Sequence, residues 1–439
     1  MTTGVSVPSK RLSRLWHLGR ATTDFAVGVG VRGMIDLARN RGGEGQRIRL
    51  SPAATQRLTD RLARMRGAAM KMGQLMSMDG SDVFTPEAAE IMATLRDRAA
   101  PMPMSQLVRV LNAEWGKDWN RHFVRFEFEP IAAASIGQVH RAITRDGRHL
   151  ALKVQFPGVR DSIDSDIANL GFLACNTGML PRGFDPTPML EEARLQLREE
   201  SDYEAEAASL QAYKRLIGDD PDFLVPAVHP DLSTSRILAM DFADGVPIDR
   251  LTASAFSHQE RNRVAGLMSR LMIRELFEFA LVQTDPNFGN FLYDHATRRI
   301  VLLDFGATRA VPDHLIEGYR QLAVATLSGD RSALTQGAAA LGYIGADDPP
   351  AQIGRLLDLI VRSGEVITSD GPYDFGTSQL FEQVFAQGRD MFNDEVFNHM
   401  PDPATMFLQR KFAGVFMLCR RLRAQVDLRT MLKPFIETT

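Results

Sequence analysis

The chain of 439 residues carries two cysteines, Cys175 and Cys419, far apart and in no metal-ligand spacing. That scarcity argues against a disulfide framework and for a reducing compartment. No run approaches the roughly 18 apolar residues of a membrane-spanning helix, so no bilayer crossing is expected. A basic excess is also missing: the net charge of −3 argues against a dedicated nucleic-acid binder. Internal repeats and low-complexity tracts are absent. Residues 1–23 contain Lys10, Arg11, Arg14 and Arg20 and no acidic residue, but the apolar run from Phe25 to Val31 is stopped by Arg32 without a convincing cleavage site. A secretory signal is therefore not expected, while the acid-free, Ser/Thr-containing composition leaves an organelle transit peptide open. Hydrophobic residues at 44% and charged ones at 24% are ordinary for a globular chain, and the length suits about two to three packing units.

The order of pieces follows from periodicity. Residues 24–39 mix an apolar face with arginines, and Gly28, Gly30 and Gly33 weaken an isolated helix. Packing on the protein itself and lying on an anionic lipid surface are both open readings. Ser51 as N-cap and Pro52 at the first helical position open a stronger helix. There Leu58, Leu62, Met65, Ala69, Met72 and Met76 form one apolar stripe over about six turns. This helix contains Lys71-Met72-Gly73-Gln74, with Lys71 and Gln74 on one face.

Between Arg121 and Gln155 the period changes to that of strands. Phe126 and Phe128 alternate with Arg125, Glu127 and Glu129; AAASIGQ interrupts; VHRAI and HLALKVQ flank a turn at Asp146-Gly147. Three antiparallel strands are expected. Thr187-Pro188 opens a helix read as running to a stop at Gly218, and RILAMDF at 236–242 reads as an inner strand ended by Asp244-Gly245. Beyond residue 250 the pattern is mostly helical, broken by short strands such as FLYD and IVLLDF.

Within that break lies QTDPNFGN at 283–290, followed by Asp304-Phe305-Gly306. Phosphoryl transfer from a nucleotide needs cations against the phosphates, oxygen ligands for the metal, and a group that orients the nucleophile. Asp285 can orient or deprotonate an attacking hydroxyl. Asn290 offers a neutral oxygen to a metal, and Asp304 an anionic one before a flexible glycine. Lys153, on the third strand, can set a positive charge against the α- and β-phosphates. Each residue alone has an ordinary reading as a solvated charge or a turn former; their joint order carries the signal.

KMGQ at 71–74, AAASIGQVH at 132–140, ALKVQFPGV at 151–159, EESDYEAEA at 199–207, QTDPNFGNF at 283–291, LLDFGA at 302–307 and RKFAGVF at 410–416 together resemble the UbiB family of atypical protein-kinase-like proteins, associated with ubiquinone biosynthesis. The likeness covers about residues 50 to 430. It implies an α+β, two-lobed protein-kinase-like fold: a small antiparallel-sheet N-lobe over 123–245, a mostly helical C-lobe over 246–439, an added helical extension over 49–122, and a basic segment over 1–48. It also implies residue roles. Lys71 and Gln74 belong to a KxGQ motif, and Glu200 and Asp202 to an ExD motif, both regulatory. Lys153 resembles the nucleotide-binding lysine with Glu206 as its ion-pair partner, leaving Glu200 and Asp202 to face Lys71 or a metal. Ala132, Ala133, Ala134, Ser135, Gly137, Gln138 and Met240 join Lys153 around ATP or ADP. Asp285 takes the catalytic-loop position, and Asn290 and Asp304 those of Mg2+ ligands.

Departures from ordinary protein kinases are informative. The alanine-rich loop restricts the positive-φ conformations that let backbone amides wrap phosphates, so its grip on nucleotide should differ. No His-Arg precedes Asp285 and no Ala-Pro-Glu follows Asp304, so efficient phosphorylation of other proteins is not expected. The resemblance therefore implies a Mg-dependent ATPase or phosphotransferase that supports ubiquinone biosynthesis on or near membrane-bound quinone precursors. Expected partners are those lipids, an anionic membrane surface and ubiquinone-biosynthesis proteins. The expected place is the cytoplasm, peripheral to the inner membrane face, with mitochondrial targeting open. A phosphotransferase of the choline or aminoglycoside kinase type and a nucleotide-sensing pseudokinase scaffold stand as alternatives.

Overall fold

A computed structural model describes residues 101–176, 187–251, 255–285, 287–393 and 401–437. The expected helix at 51–76 with Lys71 and Gln74 lies outside them, as does the basic segment before it. The chain divides into two compact units: residues 1–211 with 227–242, and residues 212–226 with 243–439.

The described part of the first unit begins with α1 (Met104–Trp115), whose Leu107, Val110 and Leu111 are buried at helical spacing. Strands β1 (Phe123–Phe126), β2 (Ala132–Ala133), β3 (Gly137–Thr144) and β4 (His149–Gln155) follow. Helix α2 (Val159–Asn176) precedes α3 (Thr187–Glu200) and α4 (Tyr203–Ile217), whose residues from 212 onward, Tyr213 among them, belong to the second unit. With β6 (Ile237–Asp241), the strands form one antiparallel sheet in the order β1-β3-β4-β6, with β2 beside β3. The expected antiparallel strands are present, and the inner strand read at 236–242 is β6.

Alternation explains β4. Leu150, Leu152 and Val154 are wholly buried on one face, where α1 packs, and place Ala151, Lys153 and Gln155 on the other. Trp119, Phe123, Phe126 and Phe128 cluster edge to face at the β1 end, and His140 of β3 stacks on Phe126. Among the described residues 159–176 form a helix where the sequence reading assigned no element. The single helix expected from Thr187 to Gly218 is a correction: the chain breaks it at Ser201-Asp202. Asp202 Oδ1 accepts the Ala205 amide at 3.0 Å and so restarts a helix as its N-cap.

In the second unit the order is β5 (Phe223–Leu224), β7 (Val246–Pro247), α5 (His258–Phe277), β8 (Leu281–Gln283), β9 (Phe291–Asp294), β10 (Arg299–Leu302) and β11 (Thr308–Ala310). Then come α6 (Asp313–Ser328), α7 (Arg331–Ala340), α8 (Pro350–Ser363), β12 (Tyr373–Asp374), α9 (Leu380–Asn393), α10 (Pro403–Arg421), β13 (Gln425–Val426) and α11 (Leu428–Ile436). Ser257 and Glu260 form a capping box that starts α5. Arg270 and Arg274 of α5 hold Asp220 at 3.1 and 2.8 Å, next to β5, which pairs parallel with β10. Leu276, Val282, Leu315, Leu334, Leu357 and Leu408 share one apolar core. Cys419 is buried in α10, and burial pushes its thiol up to about 12, so it is not a reactive thiol. No helix among the described residues is long and apolar enough to cross a membrane.

Candidate functional site

Lys153 comes first because its position is costly. It is 7% exposed, and its Nζ meets Glu206 Oε1 at 2.7 Å and Oε2 at 2.9 Å, with Glu206 1% exposed. Desolvating both charges is offset only by this close, two-armed geometry. The Tyr203 ring lies 5.2 Å from the ammonium. Asp202 makes the pairing possible: by capping α4 it sets Glu206 one turn into the helix, on the face that meets β4.

Glu200, at the end of α3, accepts a hydrogen bond from Ser135 Oγ. Ser135 lies in the alanine-rich loop, whose turn is closed by the Ala134 amide donating to Gly137 O at 3.0 Å. Ala132 and Ala133 pair with Val139 and Gln138. Gly137 is required for a reason the sequence did not reveal: a Cβ there would lie 2.4 Å from the Val154 carbonyl oxygen. Gln138 is 2% exposed and its side chain is engaged within the unit. Its Oε1 accepts the Met102 amide at 2.8 Å and its Nε2 meets His140 Nε2 at 2.7 Å. Met240 is 5% exposed on β6, opposite Ala151.

In the second unit Asp285, Asn290 and Asp304 are brought together. Asn290 Nδ2 donates to Asp285 Oδ2 at 3.0 Å, and the Asn287 amide donates to Asp285 Oδ1 at 3.2 Å. The Leu303 amide donates to Asn290 O at 3.0 Å, which sets Asp304 beside the same loop. Asp304 Oδ1 accepts the Gly306 amide at 3.0 Å. Phe305 is 2% exposed against the Tyr213 ring, at 4.5 Å between centroids. Beneath both loops Gln283 Nε2 reaches Asp285 O at 2.8 Å and Asp304 O at 3.3 Å; the sequence reading did not single this residue out. A polar residue closing an otherwise apolar strand was the one available signal.

The donor set suits magnesium. Among the described residues no group of three or more His, Cys, Asp or Glu forms a protein-only metal cage. Mg2+ needs no such cage: it takes one or two carboxylates and completes its shell with phosphates and water. Asn290 gives its amide nitrogen to Asp285, so the amide oxygen is the end left for a cation, with the Asp304 carboxylate close in the chain.

The chain is similar to known proteins over most of its length. The model of the ABC1 atypical kinase-like domain matches residues 94–338. The chain is 36% identical over 434 residues to the atypical kinase COQ8B, mitochondrial, of Rattus norvegicus, covering 97% of this chain and 80% of that protein. It is 34% identical to the atypical kinase COQ8, mitochondrial, of Saccharomyces cerevisiae, covering 98% and 85%. Among solved structures, the complex of Rv3197 with erythromycin from Mycobacterium tuberculosis superposes with a TM-score of 0.61 at 24% identity, covering 88% of this chain and 95% of that one. That likeness is one of fold.

Proposed function

Because this chain belongs to the ABC1 family of atypical kinase-like proteins, we propose that it binds ATP or ADP with Mg2+ and carries out ATP hydrolysis or phosphoryl transfer to a small lipid-like acceptor, in support of ubiquinone biosynthesis. The observation that carries this reading is the buried Lys153–Glu206 pair, 53 residues apart in sequence. A cation fixed in direction by one buried carboxylate is what a phosphate-binding lysine requires.

When bound, Mg-ATP supplies the transferable phosphoryl group and the cation that spreads its charge. Lys153 would meet the α- and β-phosphates, with Glu206 fixing its direction. Asn290 and Asp304 would hold the metal. Asp285 accepts the proton of the attacking hydroxyl or water; the backbone amide of Asn287 and the side-chain amide of Asn290 fix the direction of its carboxylate for that task. Ser135, held by Glu200, supports a loop fixed over the nucleotide by contacts of its own rather than by glycine backbone. Lys71 and Gln74, on the helix expected from Ser51 within the extension over 49–122, would cover the surface where a protein substrate otherwise docks. Residues 10–41, through their arginines, would bring the protein to anionic membranes that hold quinone precursors; the two COQ8-named relatives above carry "mitochondrial" in their names.

The test is calorimetric binding of ATP with and without Mg2+, beside hydrolysis with and without anionic vesicles and a phenolic quinone precursor. Mg-dependent binding that is lost in Asp304→Asn is expected. Nucleotide binding indifferent to Mg2+ and to Asp304→Asn would overturn the reading.

A further inference from the structure

Gln283 is 2% exposed at the end of β8, where Thr308 of β11 faces it in register. A buried primary amide has two donors at one end and an acceptor at the other, and the wrong end in the wrong place is penalised. Here the surroundings leave one orientation. The nitrogen end faces two backbone carbonyls, Asp285 O at 2.8 Å and Asp304 O at 3.3 Å, which only accept. The oxygen end faces Lys411 Nζ at 3.4 Å, which only donates. Both N–H groups of one side chain are therefore spent on the two loops that carry the acidic residues.

Lys411 needs its own explanation. It is 2% exposed in α10, paired at 2.7 Å with Glu275 of α5, which is 1% exposed. The Tyr213 hydroxyl shares its single proton between two acceptors, Leu281 O at 2.9 Å and Glu275 Oε1 at 3.1 Å. A well-packed apolar pair would serve stability at least as well as this buried ion pair. An apolar pair could not hold the Gln283 amide oxygen, and without that hold the amide could rotate its donors away from the carbonyls.

We propose that Gln283 is a positioning residue: its amide sets the separation of the Asp285 and Asp304 loops before any nucleotide arrives, and the Lys411–Glu275 pair locks the amide. The inference rests on the reading of Asp285 and Asp304 as the phosphoryl-transfer carboxylates. It goes beyond that reading by assigning their relative placement to Gln283, Lys411 and Glu275, none of which that reading sets against phosphate or metal. Preorganised oxygens gain transition-state stabilisation because nothing need move when charge develops.

The experiment uses the full chain with Gln283→Glu, which keeps an acceptor for Lys411 but sets a second oxygen against the two carbonyls, and Gln283→Met, which keeps length without charge. Asp304→Asn is the control for the site itself. Hydrogen exchange of the nucleotide-free protein should rise in the segments 284–290 and 303–308 and remain as in the parent elsewhere. The Mg2+ concentration for half-maximal ATP binding should rise about ten-fold, the size seen when groups behind metal ligands are removed. At saturating Mg2+, turnover should fall on the order of 10-fold to 100-fold, with KM for ATP nearly unchanged. Unchanged exchange and Mg2+ requirement in both Gln283 variants, with Asp304→Asn still deleterious, would overturn the positioning role alone. Exchange raised throughout the unit would make Gln283 an ordinary core residue and overturn it as well. If Asp304→Asn is also without effect, the reading of the site has failed first.

Discussion

Asp202 and Glu206 stand one helical turn apart with different tasks: Asp202 caps α4 through the Ala205 amide at 3.0 Å, and Glu206 holds Lys153 at 2.7 Å. An amide oxygen accepts the capping hydrogen bond as well as a carboxylate oxygen does, but it cannot replace a charge partner. Asp202→Asn should therefore keep both stability and the Lys153 pairing, while Asp202→Ala loses about 1 kcal/mol. Thermal melts of the two variants decide it. Equal losses in both would mean that the negative charge of Asp202, not its hydrogen bond, is what matters.

Glu206→Gln leaves the Lys153 ammonium buried without its carboxylate. Breaking one side of a buried ion pair costs roughly 3–5 kcal/mol, so the variant should unfold at clearly lower denaturant. Lys153→Met with Glu206→Met removes both charges together and should recover most of that loss. A double variant as unstable as the single one would refute the charge argument.

Gly137→Ala would drive a methyl group to 2.4 Å from the Val154 carbonyl, on the strand next to Lys153. The Val154 backbone and the Tyr203 hydroxyl, 3.0 Å from the same point, give little room to relax, so a loss of about 1–3 kcal/mol is expected. Gly147→Ala is no matching control, because that residue has φ +90°; Gly354→Ala, in open space on α8, is. If Gly137→Ala melts like Gly354→Ala, the close-approach explanation falls.

His140 gives a dependence on pH. Its Nδ1 lies 2.8 Å from the Glu127 carbonyl, an acceptor only, so Nδ1 carries the proton and Nε2 accepts from Gln138. Burial holds its pKa below the ordinary 6.5. Below about pH 6.5 the unfolded chain binds a proton that the folded chain refuses, and stability falls with pH until the folded value is reached. The loss approaches about 1.4 kcal/mol per pH unit. His140→Gln should flatten the melting profile between about pH 7 and about pH 5. Parallel profiles for the two proteins would show that another group controls the acid limb.

Much of this was legible along the chain. The strands of β3 and β4 follow from alternation around Asp146-Gly147, and the acidic and amide residues at 285, 290 and 304 follow from motif order. What alternation cannot give is the partner. The break at Ser201-Asp202 was hidden because Glu and Ala on both sides favour one continuous helix, and only the cap geometry overrules them. The pairing of β5 with β10 was hidden because Phe223-Leu224 is too short to show a period. Gln283 was hidden because its significance lies in two carbonyls and a lysine, the last 128 residues away. Contacts that ignore side-chain identity, or that close over long stretches of chain, leave no local pattern.

Phe305 is packed at 2% exposure against Tyr213, whose hydroxyl is engaged with Glu275 and Leu281. Inhibitors that work by swinging the phenylalanine of an Asp-Phe-Gly segment outward would have to uncover that ring, at a cost of about 1.5–3 kcal/mol. Compounds aimed at this protein should accordingly be sought among those that leave the aromatic seated, and selectivity built on the displaced form would be forfeited.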